Sequence, residues 1–219
     1  MPLHIDFFLS LASTYTYLAV NRAEAHAEKA GVALRWRPFS VRTIMTEQNN
    51  KPFAGKPVKM AYMWRDLERR AQRHGIAFRS IPPYPVDADG LANRVAALAA
   101  VEGWCPAFAK ASYDGWFLGN GDPGDVENLS RAVLRTGRDP GETIARANSP
   151  DIHARLAAET DAARALGVFG SPTFVCGTEL FWGDDRLEEA IEWCTSHEPV
   201  STAAHVKAAA GEEAEKPST

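Results

Sequence analysis

The chain has 219 residues, is 45% hydrophobic and 10% aromatic, and carries a net charge of −4, the make-up of a packed globular protein of one domain or two small ones. That balance gives no general electrostatic footprint for nucleic acid, and no apolar run approaches the roughly 18–20 residues of a membrane span. Three cysteines, Cys105, Cys176 and Cys194, include no C-x-x-C pair and no zinc-ligand spacing. They read as small buried hydrophobes, with no thiol–disulfide motif and no metal site.

The segment Met1 to Leu9 lacks a basic n-region, and Asp6 breaks its apolar stretch. It therefore reads as a first strand over residues 3–9 and not as a signal peptide. It is too poor in Arg and Ser for a transit peptide, so a cytoplasmic protein is expected. Ser13 is placed to cap a helix over Thr14 to Ala30, in which Tyr15, Leu18, Ala19 and Arg22 recur at helical spacing and Gly31 is the C′ stop. Residues 32–38 alternate and end in Pro38, which makes them a second strand and completes a βαβ opening.

The next stretch is helical throughout. Val58 to His74 is a charged amphipathic helix stopped by Gly75, and Leu91, Val95, Leu98 and Ala99 keep i, i+4, i+7, i+8 spacing before Gly103. Helices are predicted at 106–118 and 125–136, and Asp139-Pro140-Gly141-Glu142 supplies an N-cap, an N1 proline and an N3 glutamate for another. Ser149-Pro150 opens a helix that ends at Gly167. Strands follow at 172–176 and 179–182, joined by a turn at Gly177, and then a helix from Asp184 to about Cys194. The βαβ start and ββα finish make an α/β, thioredoxin-type sheet. Residues 1–39 and 150–198 build it, residues 40–149 form an inserted helical domain, and residues 199–219 are an Ala/Glu/Lys-rich tail without an apolar face, expected to be disordered.

Two sites at opposite ends of the chain invite comparison. Gly170-Ser171-Pro172-Thr173-Phe174 precedes a strand, as the cis-proline loop of a thioredoxin-like fold does, and the Ser171–Pro172 bond is expected to be cis. Ser13, at the first strand–helix junction, occupies the spot where such folds carry a nucleophilic cysteine. A serine there cannot form a disulfide, but its hydroxyl can donate to a thiolate, and a helix start favours an anion. On position alone Ser13 also serves as a plain cap.

Ala12-Ser13-Thr14-Tyr15-Thr16-Tyr17-Leu18-Ala19 resembles the Ser-Pro-(Tyr/Phe)-Ser-Tyr-Leu-Ala segment of 2-hydroxychromene-2-carboxylate isomerases and kappa-class glutathione transferases. The resemblance continues at Asn50-Lys51-Pro52, through Lys59, Tyr62, Asp66 and Leu67, and closes with Phe169 to Phe174 and Phe181 to Leu187. It spans about residues 3–195. It implies a thioredoxin domain with a DsbA-like helical insertion, homodimeric, using glutathione as cofactor on a small aromatic or bicyclic substrate, with no nucleic-acid, membrane or metal partner. The implied activity is cis/trans isomerisation through a reversible thiolate adduct. The alternatives are a kappa-like transferase and a non-catalytic glutathione-binding protein.

Residue by residue, the resemblance implies that Ser13 contacts the glutathione sulfur and that the backbone of Ser171, before Pro172, pairs with the cysteinyl moiety. It places Asp185 on the γ-glutamyl ammonium, Asp184 at the helix N-cap beside the carboxylate, and Asn50 and Lys59 as polar groups from the helical domain, with Lys59 on a glutathione carboxylate. Tyr15, Tyr62, Tyr84 and Trp116, together with Trp64 and Phe117, are candidates for the organic substrate's pocket. The plain alternatives are a cap for Asp184, a solvated helix face for Lys59, a turn for Asn50 and core packing for the aromatics. Thr14 and Thr16 depart from the family's usual proline and serine.

Overall fold

The computed structural model describes residues 3–50, 53 and 55–197. Four strands, β1 (His4–Leu9), β2 (Ala33–Pro38), β3 (Thr173–Cys176) and β4 (Glu179–Trp182), form one sheet in the order β2-β1-β3-β4. β1 runs parallel to β2 and antiparallel to β3, and β3 is antiparallel to β4. In register, Phe7 lies opposite Trp36 on one side and Phe174 on the other.

β1 is central and buried on both faces. Ile5, Phe7 and Leu9 point into the larger core, whereas Phe8 packs with Phe39, Val41, Ile44 and Val175 on the other face. This is the period-2 alternation of a strand. Asp6 shares the Phe8 face and is buried there between Arg35 (2.5 and 2.8 Å) and Arg37 (3.0 Å).

The helix predicted over Thr14 to Ala30 is two helices, α1 (Thr16–Val20) and α2 (Ala23–Lys29). The break has a local cause. Asn21 turns its side-chain amide onto the Tyr17 carbonyl at 2.8 Å, in competition with the helical ladder, and the Arg22 N–H shortens its reach to Ala19. Gly31 ends α2 at φ +69°, as the sequence requires of a C′ residue.

Among the described residues, six helices lie between β2 and the final part of the chain: α3 (Val41–Glu47), α4 (Pro57–Arg73), α5 (Leu91–Val101), α6 (Cys105–Phe117), α7 (Val126–Leu134) and α8 (Pro140–Ala147). Asp139 caps α8 as predicted, accepting from the Glu142 N–H at 2.7 Å. α9 (Pro150–Ala165) leads to β3, and a 3-10 turn (Asp184–Arg186) leads into α10 (Leu187–Ser196). The expected tail at 199–219 lies outside the described residues.

The inserted helices and the sheet share one core. Tyr17 of α1 stacks on Phe117 of α6 at 4.0 Å, and a single buried cluster runs from Ile5 through Trp64 and Trp116 to Val133. Burying an aromatic side chain of this size is worth about 1.5–3 kcal/mol. This aromatic layer fixes the helical segment against the loop after β1.

Candidate active site

The loop after β1 is held from three directions. Its Ser13 N–H closes a turn on the Ser10 carbonyl at 3.0 Å. From β3's side, Ser171 Oγ accepts from the Ser10 N–H at 2.9 Å and lies 2.8 Å from Thr16 Oγ1. From α6, the Tyr113 hydroxyl is shared between the carbonyls of Ser10 (2.8 Å) and Ser13 (2.9 Å). From α5, Asn93 Oδ1 accepts from the Leu11 N–H at 3.0 Å, while its amide donates to Asp87 Oδ2 at 2.8 Å. Asp87 also accepts from the Ala92 N–H at 2.9 Å; burial pushes its carboxyl up, and these N–H donors oppose that push. Buried polar groups need such partners, because each one left alone costs about 1–3 kcal/mol.

Ser13 itself donates its hydroxyl to the Ser171 carbonyl at 2.6 Å. It does not cap α1, which begins three residues later with no side-chain cap, so the capping expectation is corrected. The sequence could not separate these roles, since the partner lies 158 residues away. The Ser171–Pro172 peptide is cis, as is Tyr84–Pro85. A Cβ at Gly170 would overlap the Trp182 indole, so that half-exposed side chain would have to move.

Beside this loop the 3-10 turn presents two unlike carboxylates. Asp184 is 1% exposed and is held by Arg70 Nη2 at 2.8 Å, with Arg22 Nη1 at 3.6 Å. Burial pushes its carboxyl up to about 6, against the pull of Arg70. It caps nothing, so that expectation is also corrected: its lone pairs face guanidinium groups. Asp185 is half exposed and lies 3.7 Å from Arg70 Nη1. Gly183 before them has φ +117°, where a side chain would be strained and would overlap the Asp185 carboxylate. Tyr15 donates to Asp66 Oδ2 at 3.1 Å, and the Arg70 guanidinium stands 6.0 Å from its ring. Burial pushes the Tyr15 phenol well above its usual range, with Asp66 adding to the shift.

An apolar cleft of about 400 Å³ begins at Ala12, next to Ser13, and is lined by Arg42, Asn50, Phe53, Met60 and Tyr84 among others. A second, more polar cleft of about 620 Å³ also reaches Ser10 and Ala12 and shares Arg42. Of the predicted substrate residues, Tyr84 lines the apolar cleft, with its ring edge-on to Phe53 at 5.8 Å.

The other aromatics lie elsewhere. Trp116 is fully buried, its indole donating to the Pro83 carbonyl at 2.8 Å, and Trp64 and Phe117 are buried around it. These are core residues, because the faces of α6 (Trp116 and Phe117) and α4 (Trp64) that carry them turn inward. Tyr62 is 63% exposed on α4, under the Arg69 guanidinium, and Tyr15 sits with Asp66 and Arg70. Neither lines the cleft. Lys59 is exposed, with its ammonium 5.7 Å from the Phe53 ring, and Asn50 donates its N–H to the Met45 carbonyl at 2.8 Å. No contact joins Lys59 to Ser13 or Ser171 among the described residues. Arg42, Arg70, Asn93 and Tyr113 were not singled out by the sequence. Each acts through a partner dozens of residues away, and none belongs to a local motif.

The arrangement offers a hydroxyl donor beside a strand-end carbonyl, an acid–guanidinium cluster and an apolar cleft. Over 187 residues the chain is 27% identical to a 2-hydroxychromene-2-carboxylate isomerase of Sphingobium xenophagum, covering 84% of this chain and 94% of the relative. It is 26% identical over 206 residues to human glutathione S-transferase kappa 1, covering 86% and 89%. A solved 2-hydroxychromene-2-carboxylate isomerase structure superposes with a TM-score of 0.73 at 26% identity, over 84% of this chain and 90% of that one. The relatives are thus isomerases and kappa-class transferases, and the fold is the thioredoxin-like sheet with helical insertion expected from the sequence. A DsbA-like thioredoxin-domain model matches residues 4–191, and the chain belongs to that family.

Proposed function

We propose that this chain is a glutathione-dependent isomerase of 2-hydroxychromene-2-carboxylate or a related aromatic-degradation intermediate, acting in the cytoplasm as a homodimer. The observation that carries this reading is the Ser13 hydroxyl, 2.6 Å from the Ser171 carbonyl, with an apolar cleft beginning at the adjoining Ala12. The residues present fit glutathione. Asp185 is half exposed, and its neighbour Arg70 has a buried Nε without a hydrogen-bond partner.

Glutathione, when bound, supplies a thiolate able to add to and leave an electron-poor double bond. The chain's part is to favour that charge. A free thiol has a pKa of about 8.5, and lowering it by about two units takes roughly 2.7 kcal/mol. A hydrogen bond from Ser13 to an ionised sulfur, about 1.5–3 kcal/mol, supplies most of this, and the start of α1 adds a smaller dipole contribution.

The backbone of Ser171 would pair with the cysteinyl part and Asp185 with the γ-glutamyl ammonium. Arg70, not Asp184, is the group suited to the neighbouring carboxylate, since Asp184 is negative and already holds Arg70. Lys59 would meet the other carboxylate. Asn50 and Tyr84 border the space for the organic substrate.

Calorimetric titration with glutathione tests the reading directly, and absence of binding would remove it. Product analysis separates isomerase from transferase: an accumulating conjugate would replace this reading with the kappa-like one that the human relative suggests.

A further inference from the structure

The apolar cleft holds one charged residue among its described lining residues, Arg42. The cation sits on α3, and its two terminal nitrogens donate to neutral carbonyls, Nη1 to Ala88 and Nη2 to Val86, each at 2.8 Å. Those two bonds leave three of the five guanidinium N–H donors over. No carboxylate of the described residues lies within ion-pair distance of it, whereas Arg22, Arg35, Arg37, Arg70 and Arg164 each have one.

The nearby acids do not cancel this charge. Asp87, Asp89 and Glu47 line the polar cleft and not the apolar one. Glu47 is held by Arg164 at 2.8 and 2.9 Å, and Asp87 by Ala92 and Asn93. The field of Arg42 reaches into the apolar cleft, where it opposes the upward push of burial on the Tyr84 phenol.

An apolar cavity of this size with one unneutralised guanidinium is matched by a flat apolar body bearing one carboxylate, which a guanidinium fork recognises geometrically as well as electrostatically. We propose that Arg42 is the specificity-determining anchor for the carboxylate of the organic substrate, selecting anionic over neutral bicyclic compounds in the cleft beside Ser13. This rests on the proposed function for the identity of the cleft's occupant, but its test does not use glutathione.

The probes are fluorescent 7-hydroxycoumarin-3-carboxylate and its methyl ester, with binding to the full chain followed by anisotropy. Wild type should bind the acid about 10–100-fold more tightly than the ester, the span of one charge-assisted hydrogen bond. In Arg42→Gln the preference should fall to about one with ester affinity unchanged, and Arg42→Lys should keep part of it.

Equal binding of acid and ester by wild type would overturn the anchor. So would an Arg42→Gln variant that loses both probes equally, since Arg42 would then only hold the Val86 and Ala88 carbonyls. Failure of both probes to bind would overturn the assignment of the cleft. Each result stands whether or not glutathione binds, so failure here is distinct from failure of the isomerase reading.

Discussion

Ser13 and Ser171 stand just beyond the ends of β1 and β3, two buried strands whose register is fixed by backbone hydrogen bonds. Arg42, Phe53 and Tyr84, which line the adjoining cleft, stand instead on a short helix, a bend and a long segment without regular structure. That segment is held by single side chains reaching its carbonyls: Tyr17 to Ala77, Trp116 to Pro83, Arg42 to Val86 and Ala88. The sheet side can tolerate little change in backbone. The helical side can exchange side chains while the chain path survives, so under the proposed function reaction chemistry falls to the first and choice of substrate to the second.

The largest effect should come from cutting the tie between the two sides. Asn93→Leu leaves the Leu11 N–H without a partner and Asp87 Oδ2 with only the long 3.4 Å bond from the backbone N–H of residue 93, and stability measured by urea unfolding should drop by about 3 kcal/mol. A loss below about 1 kcal/mol would mean that α5 does not hold the Ser13 loop and that the tie rests on Tyr113 of α6 alone.

Ser13→Ala sharpens the comparison from the sheet side. Glutathione should still bind, but the bound thiol pKa should rise by about one to two units and turnover near neutral pH should fall about 10–100-fold, recovering in part at higher pH. Thiolate absorbance against pH checks this, and superimposable curves for the two proteins would leave Ser13 a structural role only.

Asp185→Ala should weaken glutathione about tenfold by calorimetry while turnover at saturating cofactor stays the same, because an ammonium contact remote from the sulfur stabilises ground and transition states alike. A fall in saturated turnover instead would place Asp185 in the chemistry.

The smallest effect is a slope. The carboxyl of Asp184 is raised from 3.8 to about 6, so folding favours its protonated form. That contribution is complete below the ordinary value and is lost as pH rises through about 6. Asp184→Asn should flatten stability against pH across that window, and an unaltered slope would show that Arg70 and Arg22 already offset the burial.

Much of this was readable from local signals. The alternation of β1, the Asp139-Pro140-Gly141-Glu142 cap, Gly31 and the Ser171-Pro172 loop each announce themselves within a few residues. The division of α1 from α2 was not readable, since one Asn21 amide bond decides it. Trp116 and Tyr62 show the same limit from the other direction: an aromatic on a helix carries no mark of whether its face turns to core, cleft or water. Asn93 and Tyr113 are polar residues on buried helical faces, and only the fold reveals that their partners are Leu11, Ser10 and Ser13.

The bond from Ser13 to the Ser171 carbonyl has a consequence for which thiols can be activated. A hydroxyl has one proton, and here it already rests on oxygen. Under the proposed function, a thiol bringing its own amide N–H to Ser171 compensates that carbonyl when Ser13 turns to sulfur. A simple thiol brings none and must strand the acceptor, at a cost of about 1–3 kcal/mol. The serine thus behaves as a two-position donor whose position depends on the ligand's backbone, and peptide thiols gain over small ones before the organic substrate arrives.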